Sequence, residues 1–139
     1  MFAFLSITFL TRAYAGQVFI ENNTGYEVHF AFKYYDPEKS DWHIRGWFKV
    51  SVDKQLQVEI NYSPDREFYW YARTYNRRLE WPGKDAHRQR VVLRHMNMRA
   101  GRVRNYNDSI IVDFATAESE VEGDIVIVIG GEKNKDIDK

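Results

Sequence analysis

The sequence predicts an all-β protein, an antiparallel β-sandwich or flattened barrel of seven to nine strands. Three observations carry that prediction. Apolar residues alternate with period 2 over most of the chain from Gln17 to Ala115, the spacing at which successive side chains leave opposite faces of a strand. Aromatic residues make up 16% of the chain, and aromatic and β-branched side chains suit a pleated, half-buried surface. Turn-forming clusters such as Asn22-Asn23-Thr24-Gly25 and Ser63-Pro64-Asp65-Arg66 punctuate the pattern, as antiparallel connections require. A chain of 139 residues fits one domain with its own core, here 16–131, with no internal repeat.

Taken in order, residues 1–15 read as an apolar run from Phe2 to Leu10 followed by Ala13-Tyr14-Ala15. This is the pattern of a secretory signal peptide with a small-x-small cleavage motif, which places the protein in the periplasm or outside the cell. No Lys or Arg precedes the apolar run, so a first strand is the alternative; the run is too short for a membrane span. A short strand follows at Gln17 to Ile20. Tyr26 to Tyr35 is a strong one, with Tyr26, Val28, Phe30, Phe32 and Tyr34 on one face and Glu27, His29, Ala31, Lys33 and Tyr35 on the other.

After the polar loop from Asp36 to Asp41, the stretch from Trp42 to Trp81 holds all four tryptophans and should gather most of the buried area. Its first strand puts Trp42, Ile44, Gly46, Phe48 and Val50 on one side and His43, Arg45, Trp47 and Lys49 on the other. The next alternates Leu56, Val58, Ile60 and Tyr62 with Gln57, Glu59 and Asn61. The Ser63–Arg66 turn is expected to fold it back as a hairpin onto Phe68, Trp70, Ala72 and Thr74. Residues 84–104 suggest a strand, though Val91, Val92, His95 and Met98 also fit one side of a short helix. Ser109 to Ala115 is a strand, 116–123 an acidic loop, Ile125 to Ile129 a strand buried on both faces, and 132–139 a charged, disordered tail.

The outward face of the central strands is aromatic where polar residues are usual. Two readings compete: a second layer covers this face, or Tyr35, Arg45, Trp47, Tyr69, Tyr71 and Arg73 form an exposed platform that binds a ligand, since Tyr, Trp and Arg dominate binding hot spots.

The order of an Ala31-Phe32-Lys33-Tyr34-Tyr35 strand, Trp42, Gly46-Trp47-Phe48, Tyr69-Trp70-Tyr71-Ala72 and Trp81-Pro82-Gly83 resembles the DUF1036 family of uncharacterised bacterial exported proteins, over roughly Val18 to Leu93. The resemblance implies an exported β domain and transfers no catalytic residue. Family members commonly carry cysteines at places where this chain has Glu21, Leu56 and residues 90–92, and this chain has no cysteine. Its core must hold unaided, without disulfides or thiolate chemistry.

The remaining chemistry is sparse. His29, His43, His87 and His95 have no metal-ligand spacing, and no phosphate loop or nucleophile elbow is present; neither metal nor cofactor is expected. Net charge is zero. Residues 77–104 hold nine Lys and Arg while 108–139 hold nine Asp and Glu, two halves that should attract each other. Arginines with nearby aromatics could grip nucleic acid, but neutrality and the export signal argue against it. The expectation is a non-enzymatic binding or structural domain of the cell envelope, its partner a glycan or an unknown protein. Alternatives are an exported inhibitor or immunity-type protein, and a small carbohydrate-active hydrolase using Glu59 and Glu67.

Overall fold

The computed structural model describes residues 15–81, 87–117 and 124–130. The apolar segment 1–14, Pro82 and Gly83, residues 118–123 of the acidic loop and the charged tail lie outside the described residues. The described chain is all-β. Its strands are β1 (Ala15–Asn23), β2 (Val28–Asp36), β3 (Asp41–Val50), β4 (Gln55–Asn61), β5 (Phe68–Arg73), β6 (Glu80–Trp81), β7 (His87–Val92), β8 (Met96–Arg99), β9 (Ser109–Ala117) and β10 (Ile125–Gly130), with a 3₁₀ helix, Ala100–Asn105, before β9. They form a three-stranded sheet, β10-β1-β4, and a seven-stranded sheet ordered β7-β9-β5-β2-β3-β8, with β6 beside β5.

The small sheet packs on one face of the large one. Val18 and Ile20 from β1, Ile125, Ile127 and Ile129 from β10 and Ile60 from β4 meet Val28, Phe30, Phe32, Tyr34, Val50 and Phe68. Each such fully buried side chain is worth about 1.5–3 kcal/mol of transfer free energy. The opposite face of the large sheet has a core of its own, where Ala31, Ile44 and Tyr71 are closed over by Val91, Val92, Met96, Val103, Val112 and Phe114. The outer strands β7, β8 and β9 and the 3₁₀ helix therefore curl back over β2, β3 and β5, and these central strands are buried on both sides.

Three expectations change. The Ser63–Arg66 turn forms, with Arg66 N donating to Ser63 O at 3.1 Å, but it makes no hairpin. β4 pairs with β1 while β5 pairs with β2, β6 and β9: the turn carries the chain from one sheet to the other, with Tyr62 buried at the crossing. The second change concerns β10, which pairs in parallel with β1 and buries only alternate residues, leaving Val126 and Val128 exposed. The third lies in β3. Phe30 pairs with Phe48 but Ala31 pairs with Gly46, so Trp47 is an extra residue. A one-residue bulge moves every preceding side chain to the other face. Ile44 therefore joins the second core, while Arg45 leaves the face of Trp47 and packs against Phe48 of the first, 5.2 Å from its ring.

Candidate functional site

At one end of the curled sheet, the turn before β2 and the loop before β6 enclose a cleft of about 600 Å³ lined by Tyr26, Glu27, Thr74, Tyr75, Asn76, Arg78 and Leu79. Both segments are tied down from beneath. Asn22 is fully buried; its amide donates to the carbonyls of Tyr26 at 2.7 Å and Val50 at 3.0 Å, and its oxygen accepts from Thr24 N and Thr24 Oγ1. Gly25, at φ +87°, supplies the left-handed residue that this turn requires. Tyr26 follows on the rim, 53% exposed. Across the cleft, Thr74 N donates to Leu79 O at 3.0 Å and Arg77 N to Thr74 O at 2.9 Å. Tyr75 stands out at 78% exposed, its ring 5.9 Å from that of His29.

Under this loop lies Arg73, 5% exposed. Its Nη1 donates to Tyr75 O at 2.9 Å, and its guanidinium lies 4.2 Å from the Trp47 ring centroid, a cation–π contact strengthened by desolvation. Burial also lowers its proton affinity. Trp47 is anchored by Nε1 donating to Val92 O at 3.0 Å. Tyr71 is fully buried and donates its hydroxyl to Glu80; desolvation, with the Glu80 carboxylate, raises its proton affinity far above the ordinary phenol.

The other end of the same face is built around Lys33, only 9% exposed. Its Nζ donates to His87 Nε2 at 2.5 Å and to Gln89 Oε1 at 2.7 Å, and sits 5.5 Å from the Trp42 ring and 5.9 Å from that of Tyr69. Tyr69 stacks on His87 at 4.1 Å and donates its hydroxyl to Glu67; its pKa is pushed up to about 12, by desolvation first and then by Glu67. Tyr35 meets Trp42 edge-on at 5.7 Å and lies under Arg66 at 4.0 Å. Desolvation lowers the pKa of Lys33, and desolvation together with the Lys33 charge lowers that of His87.

The six residues expected to share one open platform are thus divided. Buried Tyr71 and Arg73 with partly buried Trp47 support the Tyr26–Tyr75 cleft from beneath, Tyr35 and Tyr69 belong to the Lys33 end, and Arg45 is on the opposite face. The expectation of a common exposed face is corrected at Tyr71 and Arg73, which the curled outer strands and the Thr74–Leu79 loop cover, and at Arg45, which the bulge turns away. Glu59 and Glu67 are also separated. Glu59 sits on the small sheet opposite Gln17, whereas Glu67 lines a second cleft of about 360 Å³ with Asp65, Arg66 and Thr116.

Two arginines of the basic segment meet the acidic half, Arg94 with Asp108 at 3.0 Å and Arg88 with Asp113 at 3.9 Å, whereas Arg99 pairs outside it with Asp41 at 2.9 Å. Among the described residues no group of three or more His, Cys, Asp or Glu could hold a metal ion, and no helix is long and apolar enough to cross a membrane.

Tyr26, Lys33, Trp42 and His87 were not singled out from sequence. Lys33 did carry a signal, as the lone charge in the apolar run from Phe30 to Tyr35; the approach of His87 depends on the curl of the sheet and left none. Comparison with family models, curated proteins and solved structures gives no match for this chain.

Proposed function

We propose that the chain is a non-enzymatic binding domain of the bacterial cell envelope, periplasmic or secreted, akin to the DUF1036 proteins it resembles, and that its ligand is a glycan seated between Tyr26 and Tyr75. One observation carries this reading: two highly exposed phenol rings stand on a cleft of about 600 Å³, within the ordinary range of ligand sites. Aromatic faces accept the apolar face of a sugar ring, and a phenol adds a polar tip. Glu27, Asn76 and Arg78 supply hydroxyl partners on the same walls. Because Asn22 and Arg73 hold the two rims from beneath, the cleft is set before the ligand arrives and little ordering entropy is lost on binding.

The non-enzymatic part of the reading rests on Glu59 standing on β4 of the small sheet while Glu67 lies in the connection before β5 and lines the second cleft, so the two do not face each other across one cleft. Titration of the full chain with a panel of envelope glycans, followed by calorimetry, tests the proposal. At least one glycan should bind, and Tyr75→Ala should weaken it about tenfold, or about 1.4 kcal/mol, with thermal stability unchanged. Failure of every glycan, with capture of a specific protein that Tyr75→Ala abolishes, would move the function to the inhibitor class at the same cleft.

A further inference from the structure

Lys33 has no part in the cleft. It stands on β2 opposite Tyr69 of β5, about 13 Å along the strand from the His29–Arg73 pair at the other end of that register. Among the described residues no carboxylate lies within ion-pair distance of its amine. Its neighbours are aromatic or neutral: Trp42 from β3, Tyr69 from β5, and His87 and Gln89 from β7. The nearest acidic influence is Glu67, which acts on His87 and already holds the Tyr69 hydroxyl. A bond from Lys33 Nζ to His87 Nε2 requires that nitrogen to be unprotonated, so the imidazole carries its proton on Nδ1. The ammonium therefore lies against a base. The rings around it are only half-buried, and β7, which supplies the base, is the edge strand of the large sheet.

From this placement we infer that Lys33 is a nucleophilic amine that condenses reversibly with small aldehydes, the open-chain form of a reducing sugar being the chemical class in view. A desolvated lysine beside a base is the usual way an amine is activated for imine chemistry, and the lowered proton affinity of Lys33 agrees with it. In the reaction the neutral Nζ attacks the carbonyl carbon and the carbonyl oxygen takes up a proton, giving a carbinolamine. His87 Nε2 carries both protons that Nζ loses to that oxygen in turn, the first giving the carbinolamine hydroxyl and the second completing the departing water. Water leaves and a C=N bond forms: aldehyde plus amine give imine plus water, with no change of oxidation state. Gln89 Oε1 holds Nζ in place, and the indole and phenol rings exclude the water that would solvate an ammonium.

The test uses the full chain, propionaldehyde as the probe and cyanoborohydride to reduce any imine formed, with peptide mass mapping to compare rates at individual lysines near neutral pH. Lys33 should be alkylated about tenfold faster than Lys39, Lys49 or Lys54, a modest share of what a positioned base contributes. His87→Gln should bring Lys33 down to the rate of the exposed lysines and leave those unchanged, with circular dichroism reporting the fold. The inference is overturned if Lys33 in the unmutated chain reacts no faster than Lys49 and Lys54. It is overturned equally if Lys33 keeps its advantage in a folded His87→Gln variant. The outcome is independent of glycan binding at the Tyr26–Tyr75 cleft, because Lys33 does not line it, and Tyr75→Ala should leave the Lys33 rate untouched.

Discussion

Two cations lie on the same face of the large sheet, each against an indole: Arg73 is 4.2 Å from Trp47 and Lys33 is 5.5 Å from Trp42. Their hydrogen bonds set them apart. Arg73 donates to the main-chain oxygen of Tyr75, so its charge is spent on fixing a loop. Lys33 donates to a titratable ring and a side-chain amide, groups that hold it without neutralising it. The guanidinium, planar and charged at every accessible pH, suits a permanent brace. The ammonium, which gives up its proton when desolvated, suits chemistry. Burial alone does not make a polar side chain structural; the partner decides.

The sharpest way to break the comparison is to remove the brace. Arg73→Ala strips the loop of its bond to Tyr75 O and leaves Trp47 without its cation, and should cost about 2–4 kcal/mol, read as a lower urea midpoint together with loss of ligand binding at the cleft. Arg73→Lys should recover only part of this, since one ammonium cannot both lie flat on the indole and reach the loop carbonyl.

Lys33→Met should act in the opposite direction. It removes a desolvated charge with no opposite partner and keeps the apolar stem, so stability near neutral pH should rise by about 1 kcal/mol, measured by thermal melting. A loss of stability as large as that of Arg73→Ala would mean that both cations are braces.

Two pH responses sharpen the picture. Burial pushes the Tyr34 phenol, on the first core, up to about 12. A folded-state pKa above the unfolded 10.0 means that the stabilisation is complete below pH 10.0 and is lost as pH rises through about 12. It amounts to about 2 kcal/mol, and tyrosinate absorbance should rise together with unfolding. His87 has the opposite sign, its pKa lowered from 6.5. Its contribution is present above pH 6.5 and is lost as pH falls through the lower folded value. The ring is half-buried and its charge partly screened, so the effect should stay below about 1 kcal/mol, visible as a urea midpoint that falls as pH drops below 6.5 and that His87→Gln makes insensitive to this range.

Much of the fold was legible because strand parity is a local property. Val28, Phe30, Phe32 and Tyr34 fall on one face of β2 as the alternation requires, and Ile110, Val112 and Phe114 alternate inward on β9. What escaped was non-local. Nothing near Ser63-Pro64-Asp65-Arg66 tells whether the turn closes a hairpin or crosses between sheets, because both use the same four residues. The choice is made by β1, which takes β4, and by β2, which takes β5. The site was half legible for the same reason. Aromatic residues marked the face, but burial of Tyr71 and Arg73 depends on the curl that brings β7, β8 and β9 over it, and the arrival of His87 beside Lys33 depends on that same curl.

The extra residue at Trp47 has a consequence for how this chain can change. A strand without it keeps one phase along its length, and any substitution scheme for one end is bound to the other. With it, the half of β3 from Asp41 to Gly46 and the half from Phe48 to Val50 are written in opposite phase, each addressed to a different layer. Deleting that single position would exchange the addresses of Trp42, His43, Ile44 and Arg45 at one stroke, sending Arg45 toward the second core and Ile44 toward the first. The indole is thus a punctuation mark in the strand as well as a ring in the core.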